Sequence, residues 1–211
     1  MKNLLIIGAR GFGREVYCLA IQCSGFNVDY RIKGFLDSNS LSLDSFQNYP
    51  KIICDVENYD VQENDVFVCA LGSVKWKKYY TEIILSKGGE FINLIHPTVN
   101  ISQNVYLGVG LIIFMNSIIS NDTFISDFVT IQSFVAFGHD TKIGKWCHFN
   151  AYSFLGGFTI VEDEVMINTR ATILPNLIVK KGATVGAGSV VIKNVTECVT
   201  VFGIPAKKIE F

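Results

Sequence analysis

An α/β domain followed by a long stack of very short β-strands is the fold class this 211-residue sequence predicts. Two observations carry that expectation. In the first third, apolar runs ending in glycine alternate with helical spacings, the pattern of strands crossing to helices. From Ile95 to residue 196 a six-residue period takes over and never slips. The sequence therefore divides into a Rossmann-like domain over residues 1–92 and a coiled β domain with a C-terminal tail over residues 93–211.

The run "NLLIIG" at 3–8 reads as a strand buried on both faces. Glycines 8, 11 and 13 follow, and then Val16, Leu19, Ala20 and Cys23 at helical spacing as far as Gly25. A strand, a glycine-rich turn and a helix in that order let backbone N–H groups and the helix N-terminus meet an anion, so Gly8, Gly11 and Gly13 are candidates to hold a nucleotide phosphate. The alternative is a plain tight turn. The spacing is G-x-x-G-x-G rather than the dinucleotide fingerprint G-x-G-x-x-G, so NAD is not inferred. A second strand, "RIKGFLDSN", ends at Asp37, where an acidic residue can meet a ribose hydroxyl or simply form a turn. A third, "DVFVCALGS", ends at Leu71-Gly72-Ser73 and makes Gly72 a further substrate-side candidate. The helix after it, "KWKKYYTEIILSKGG", is expected to bury Tyr79, Ile83 and Ile84.

Cut in sixes from Ile95, the chain gives seventeen units from IHPTVN to VIKNVT. Every first position is Ile, Leu, Val or Phe, and every fifth is Val, Leu, Ser, Thr, Ala or Cys. Turns in an ordinary sheet would break such a period. A six-residue unit with one large and one small inward residue is a short strand plus a corner, and it cannot bury its own apolar face; stacking must do so.

This pattern resembles the hexapeptide-repeat acyltransferases, in which three hexads make one triangular coil of a left-handed parallel β-helix. The resemblance extends along the chain through "IIGARGFGREV", "GFLDS" at 34–38, "ALGS" at 70–73, "INLIHPTV" at 92–99, "GHD" at 138–140 and "VFGIPAKKI" at 201–209. Together and in that order they are similar to the bacterial sugar acetyltransferases of the PglD and NeuD type. The resemblance implies acetyl-CoA as co-substrate, a nucleotide-linked amino sugar as acceptor and a homotrimer with its active sites between subunits. It also implies His139 as general base and Asp140 as the residue that orients its imidazole, against the plain alternative of a surface histidine. Eighteen residues on, Gly157 falls one coil higher on the same edge and is a candidate oxyanion donor. His148 falls half a coil from His139, so it would join the site from a neighbouring column or else be a solvated edge residue. Gly186, Gly188, Lys207 and Lys208 would line the far end of a coenzyme A groove, the lysines being otherwise an ordinary solvated tail. His96, before Pro97, reads as a structural entry residue.

Composition narrows the remaining classes. Net charge is −1 with Lys and Arg scattered, which offers no footprint for nucleic acid or an anionic membrane. The six cysteines form neither a C-x-x-C pair nor a zinc spacing, as expected in a reducing cytoplasm. The N-terminal apolar run is too short for a signal or membrane segment. Direct transfer from an activated thioester needs no covalent intermediate, and no serine or cysteine nucleophile motif is evident. O-acetylation of a sugar or sialic acid hydroxyl uses the same base and stays open. A metal-dependent hydratase would need three imidazoles around zinc, and only His139 and His148 are near each other in repeat phase, so no metal is expected. A non-catalytic nucleotide-binding trimeric scaffold is the remaining alternative.

Overall fold

The apolar run after Lys2 forms β1 (Lys2–Ile7), in which Leu4, Leu5, Ile6 and Ile7 are at most 1% exposed. Such a continuous run suits a central strand of a parallel sheet. Gly8 then turns the chain at φ +96°, and α1 (Gly11–Gln22) packs Gly13, Val16, Leu19 and Ala20 inward. Gly13 lets the helix approach closely, since a Cβ there would collide with the Gly8 carbonyl oxygen. The strands β2 (Tyr30–Leu36), β3 (Ile52–Cys54) and β4 (Asp65–Cys69), the helix α2 (Val74–Ser86) and the strand β5 (Glu90–Phe91) complete the unit. The sheet runs in the order β3-β2-β1-β4-β5, and every pair is parallel. Connections leave β1 toward β2 and return at β4 on its other side, so the crevice beyond the carboxyl ends of β1 and β4 is the expected ligand position.

The helix α2 corrects one expectation. Its inward residues are Lys77, Thr81 and Ile84, whereas Tyr79 is 44% exposed. Lys77 carries enough aliphatic stem to fill the inner face. Tyr79 instead joins Trp76 and Tyr80 in an outward cluster with ring centroids 5.1–6.0 Å apart.

At the start of β4, Asp65 is 4% exposed and accepts hydrogen bonds from Lys33 Nζ at 2.9 and 3.1 Å, from the Tyr59 hydroxyl and from Gln62 N–H at 3.0 Å. Burial alone would raise its pKa, but the bonds from Lys33, Tyr59 and Gln62 outweigh it and hold the carboxyl below its ordinary range. The six cysteines are free thiols, and burial pushes that of Cys69 up to about 12.

The computed structural model describes residues 1–209; the last two residues of the second predicted domain, 210 and 211, lie outside it. The chain divides into units Met1–Pro97 and Thr98–Phe211. Residues beyond 92 stay with the first unit because Ile92 N–H donates to Phe67 O, Cys23 Sγ to Ile95 O, and His96 Nε2 lies 3.0 Å from Gln22 Oε1.

The second unit is a parallel β-helix of two-residue strands. Strands one coil apart pair in parallel at a constant offset of eighteen residues, which builds three faces. The first carries Ile118, Ala136, Phe154, Thr172 and Val190 in register. The second carries Tyr106, Phe124, Lys142, Ile160 and Ile178. The third carries Ile112, Thr130, His148, Met166 and Thr184. First-position residues from Ile113 to Val191 are at most 2% exposed, so the large inward side chains form one unbroken core. Corners come from the fourth position of each hexad, which takes the left-handed conformation at every step from Asn116 to Asn176, with φ between +56° and +63°. The strand Thr200–Gly203 extends the third face, and Ala206–Ile209 folds back antiparallel upon it. Among the described residues no helix is long and apolar enough to cross a membrane.

Candidate active site

Consecutive residues of a strand point to opposite faces, yet His139 and Asp140 are joined. Asp140 occupies a left-handed corner at φ +57°, which turns its side chain back beside its neighbour. His139 Nδ1 lies 2.7 Å from Asp140 Oδ2. An ionised carboxylate can only accept, so in the neutral imidazole Nδ1 carries the proton and Nε2 presents the lone pair. Both side chains are open to solvent, at 55% and 40% exposure.

One coil higher, Gly157 lies directly over the ring. A Cβ built there would stand 2.8 Å from both Cε1 and Nε2 of His139. The Gly157 N–H donates to no group among the described residues, whereas Phe158 N–H donates to His139 O at 2.9 Å. The Phe158 ring meets the imidazole edge to face, with centroids 5.1 Å apart and planes at 89°. One coil lower, Asn121 O accepts the Asp140 N–H at 3.1 Å. Hydrogen bonds from the Asn121 and Asn104 amides hold the Asp122 carboxyl below its ordinary range, and the nearby His139 adds to the effect. The corner thus assembles an oriented imidazole, an unengaged backbone donor and a local negative field.

The other predicted coenzyme residues are elsewhere in this chain. His148 sits on the third face, across the coil from the His139 corner, and is 2% exposed, so it is not a solvated edge residue. Gly186 and Gly188 occupy the corner between the third and first faces. Gly186 has a local reason to be glycine, because the Phe202 ring fills the space where a Cβ would stand. Lys207 and Lys208 lie exposed on the returning C-terminal strand. Among the described residues no three His, Cys, Asp or Glu side chains are grouped as metal ligands.

In the α/β unit a cavity of about 440 Å³ opens at the carboxyl ends of β1, β2 and β4. Gly8, Gly13, Asp37 and Gly72 line it; Gly11 begins α1 and is not part of the lining. Asp37 spans the two strand ends, its Oδ2 accepting Ala9 N–H at 2.8 Å and its Oδ1 accepting Asn39 N–H at 2.9 Å. It is therefore a turn former and also a brace on the glycine loop. Arg10, Trp76 and Tyr80 line the cavity as well and were not anticipated. Trp76 and Tyr80 stack with planes at 27°, and burial together with Glu57 raises the Tyr80 pKa. Their signal was available as the aromatics four residues apart just after the Gly72-Ser73 strand end.

Known proteins match both halves of the chain. The PglD N-terminal domain family matches residues 3–84 and the GMPPB C-terminal domain family residues 92–185. A GDP-perosamine N-acetyltransferase of Escherichia coli O157:H7 is 34% identical, over 68% of this chain and 67% of that protein. PerB from Caulobacter crescentus has the same fold, with a TM-score of 0.89 at 23% identity, covering 100% of this chain and 98% of that one. The acetyltransferase domain of PglB from Neisseria gonorrhoeae FA1090 superposes with a TM-score of 0.88 at 26% identity over 99% and 100% of the two chains. The serine acetyltransferases of Buchnera aphidicola, Bacillus licheniformis and Bacillus pumilus also match, but the chain spans only 40%, 56% and 56% of their length. With both halves matched in order, and a relative aligned over two thirds of its own length, the chain belongs to the hexapeptide-repeat sugar acetyltransferases of the PglD and NeuD type.

Proposed function

We propose that the chain transfers an acetyl group directly from acetyl-CoA to the amino group of a nucleotide-linked amino sugar, with His139 as general base. The observation that carries this is the His139 to Asp140 hydrogen bond, which leaves Nε2 basic at an exposed corner beneath Gly157. A relative is named as an N-acetyltransferase of GDP-perosamine, and the PglB domain, 26% identical with a TM-score of 0.76, has been seen in complex with acetyl coenzyme A.

In this mechanism Nε2 accepts a proton from the attacking amine as the C–N bond forms at the thioester carbon. The Gly157 N–H donates to the oxygen that gains charge, and Asp140 stabilises the imidazolium. Collapse breaks the C–S bond, and the imidazolium returns its proton to the departing thiolate. The pantetheine arm runs along the groove beside this corner. Because His148, Gly186 and Gly188 lie elsewhere on the same chain, their part in the groove requires a second copy, as in a homotrimer with sites between subunits. Lys207 and Lys208 then supply cations to the coenzyme phosphates.

The acceptor's nucleotide occupies the α/β cavity, with its diphosphate at the α1 N-terminus near Gly8, Gly11, Gly13 and Arg10. Each Asp37 oxygen keeps a lone pair for a ribose hydroxyl. Gly72 leaves room at the cavity mouth, since no atom stands within 4 Å of where its Cβ would be. The test is thiol release from acetyl-CoA against UDP-, GDP- and TDP-linked amino sugars. Wild-type protein is expected to turn over at least one of them, and His139→Ala to lower kcat by about 10²–10⁴-fold. Equal rates for the two proteins on every acceptor would overturn the assignment of the base.

A further inference from the structure

The geometry points to Phe158 as a positioning residue for His139, the ring that fixes the plane of the imidazole while Asp140 fixes its tautomer; this inference rests on the function proposed above. An imidazole tethered only through Nδ1 keeps freedom to swing about that bond, and general-base catalysis needs Nε2 held on one line toward the amine. Phe158 restricts that swing. Its ring centroid is 5.1 Å from that of His139 with the planes at 89°, an edge-to-face contact of the favoured kind. Its N–H is bonded to the His139 carbonyl, so the two backbones are locked in register.

The sequence around the corner gives an independent reason. Along this edge the left-handed position is Asn104, Asp122, Asp140, Phe158 and Asn176 in successive coils. Asn and Asp ease that conformation through their short polar side chains; a phenylalanine brings no such compensation. At the other corners, aromatic residues in the same conformation stack on a ring one coil away, as Phe128 does on Trp146 and Phe134 on Tyr152. At this corner the ring one coil away is the histidine. Phe158 is also 52% exposed, so its burial is no reason for an aromatic there.

Two measurements test the inference. The chain has three histidines, so the His139 ring is assignable by nitrogen-15 NMR from the signals lost in His139→Ala. In wild-type protein its two nitrogens are expected to show a single fixed tautomer, protonated at Nδ1. In Phe158→Ala, where the freed ring turns out of the plane in which Asp140 can accept from Nδ1, they are expected to move toward averaged values, and in Phe158→Tyr, which keeps the ring, to stay in place. In the transfer assay, Phe158→Ala is expected to lower kcat about tenfold with KM for acetyl-CoA within twofold, and Phe158→Tyr to restore it. Unchanged His139 signals in Phe158→Ala would overturn the inference, and so would full kcat in that variant. The NMR readout needs no turnover, so loss of the proposed function and loss of this inference are separable.

Discussion

Gly157 and His139, eighteen residues apart in sequence, are so close that any side chain on the first would stand 2.8 Å from Nε2 of the second. The glycine serves clearance here, for its backbone is not in the left-handed region, and alanine would be free of backbone strain. Gly157→Ala should therefore push the exposed imidazole aside and leave the fold intact. We expect kcat to fall by about 10²-fold, the effect of misplacing a reacting group by about an ångström. Thermal stability should change by less than about 0.5 kcal/mol, as at other positions outside the core. Calorimetry beside the thiol-release assay checks both, and an equal loss of stability and activity would show that Gly157 serves packing instead.

A similar argument applies to Asp37, whose two oxygens tie Ala9 to Asn39 across the ends of β1 and β2. Asp37→Ala removes two charge-assisted hydrogen bonds to backbone N–H groups and should destabilise the α/β unit by about 2–3 kcal/mol. The glycine loop loses its brace, so affinity for a nucleoside diphosphate should fall about tenfold, or about 1.4 kcal/mol. Asp37→Asn keeps one acceptor oxygen and should lose less on both counts. Titration calorimetry with UDP and GDP reads the affinity. Unchanged binding in Asp37→Ala would place the nucleotide elsewhere.

These two residues also show what the sequence made legible. The eighteen-residue offset of Gly157 from His139 came from two readings together: the period gave the six-residue unit, and the resemblance gave three units to a coil. The left-handed corners did not follow. Positions such as Phe128, Trp146 and Tyr152 carry none of the usual markers of positive φ, and the conformation is imposed by coil closure rather than by residue preference. For the same reason the His139 to Asp140 contact was an expectation from resemblance and not from strand alternation. In the α/β unit the central strands were visible as apolar runs, while β3 and β5, of three and two residues, were too short to show a period. On α2 Ile84 is buried as expected, but Lys77 takes the inward place expected for Tyr79, because side-chain length, not polarity, decided what filled the inner face.

Asp65 and Lys33 give a pH prediction whose sign follows from their shifts. The Asp65 carboxyl is held below its ordinary range, so its stabilising contribution is complete above about pH 4 and is lost as pH falls through the lowered folded value. Burial would lower the Lys33 pKa, but its bonds to Asp65 and Tyr59 raise it overall, so its contribution is lost only as pH climbs above about 10.5. Asp65→Asn leaves a partly buried ammonium without its carboxylate and should cost about 3 kcal/mol at pH 7. As pH falls through the lowered folded value and the wild-type carboxyl itself becomes protonated, the gap should narrow. Denaturant unfolding followed by Trp76 fluorescence, in a Trp146→Phe background, isolates the α/β unit. A gap that stays constant from pH 7 to pH 2 would mean that the pair is not what stabilises this edge of the sheet.

The placement of His148 allows the assembly to be tested through activity. It lies across the coil from His139, so a site that uses both must draw them from different copies of the chain. Suppose that each alone is essential, as the groove between subunits requires. His139→Ala and His148→Ala should then both be inactive when purified singly. Co-expressed in equal amounts they should then form mixed trimers, in which a site is complete only when one subunit supplies an intact His139 and its neighbour an intact His148. Random mixing gives that arrangement at about one quarter of sites in a closed ring, so about a quarter of wild-type activity should return. Sedimentation of the same preparation should show a trimer. Near-wild-type activity in His148→Ala alone would confine that residue to a structural role, in keeping with its burial. Two inactive variants that fail to complement would mean that each site is built from a single chain.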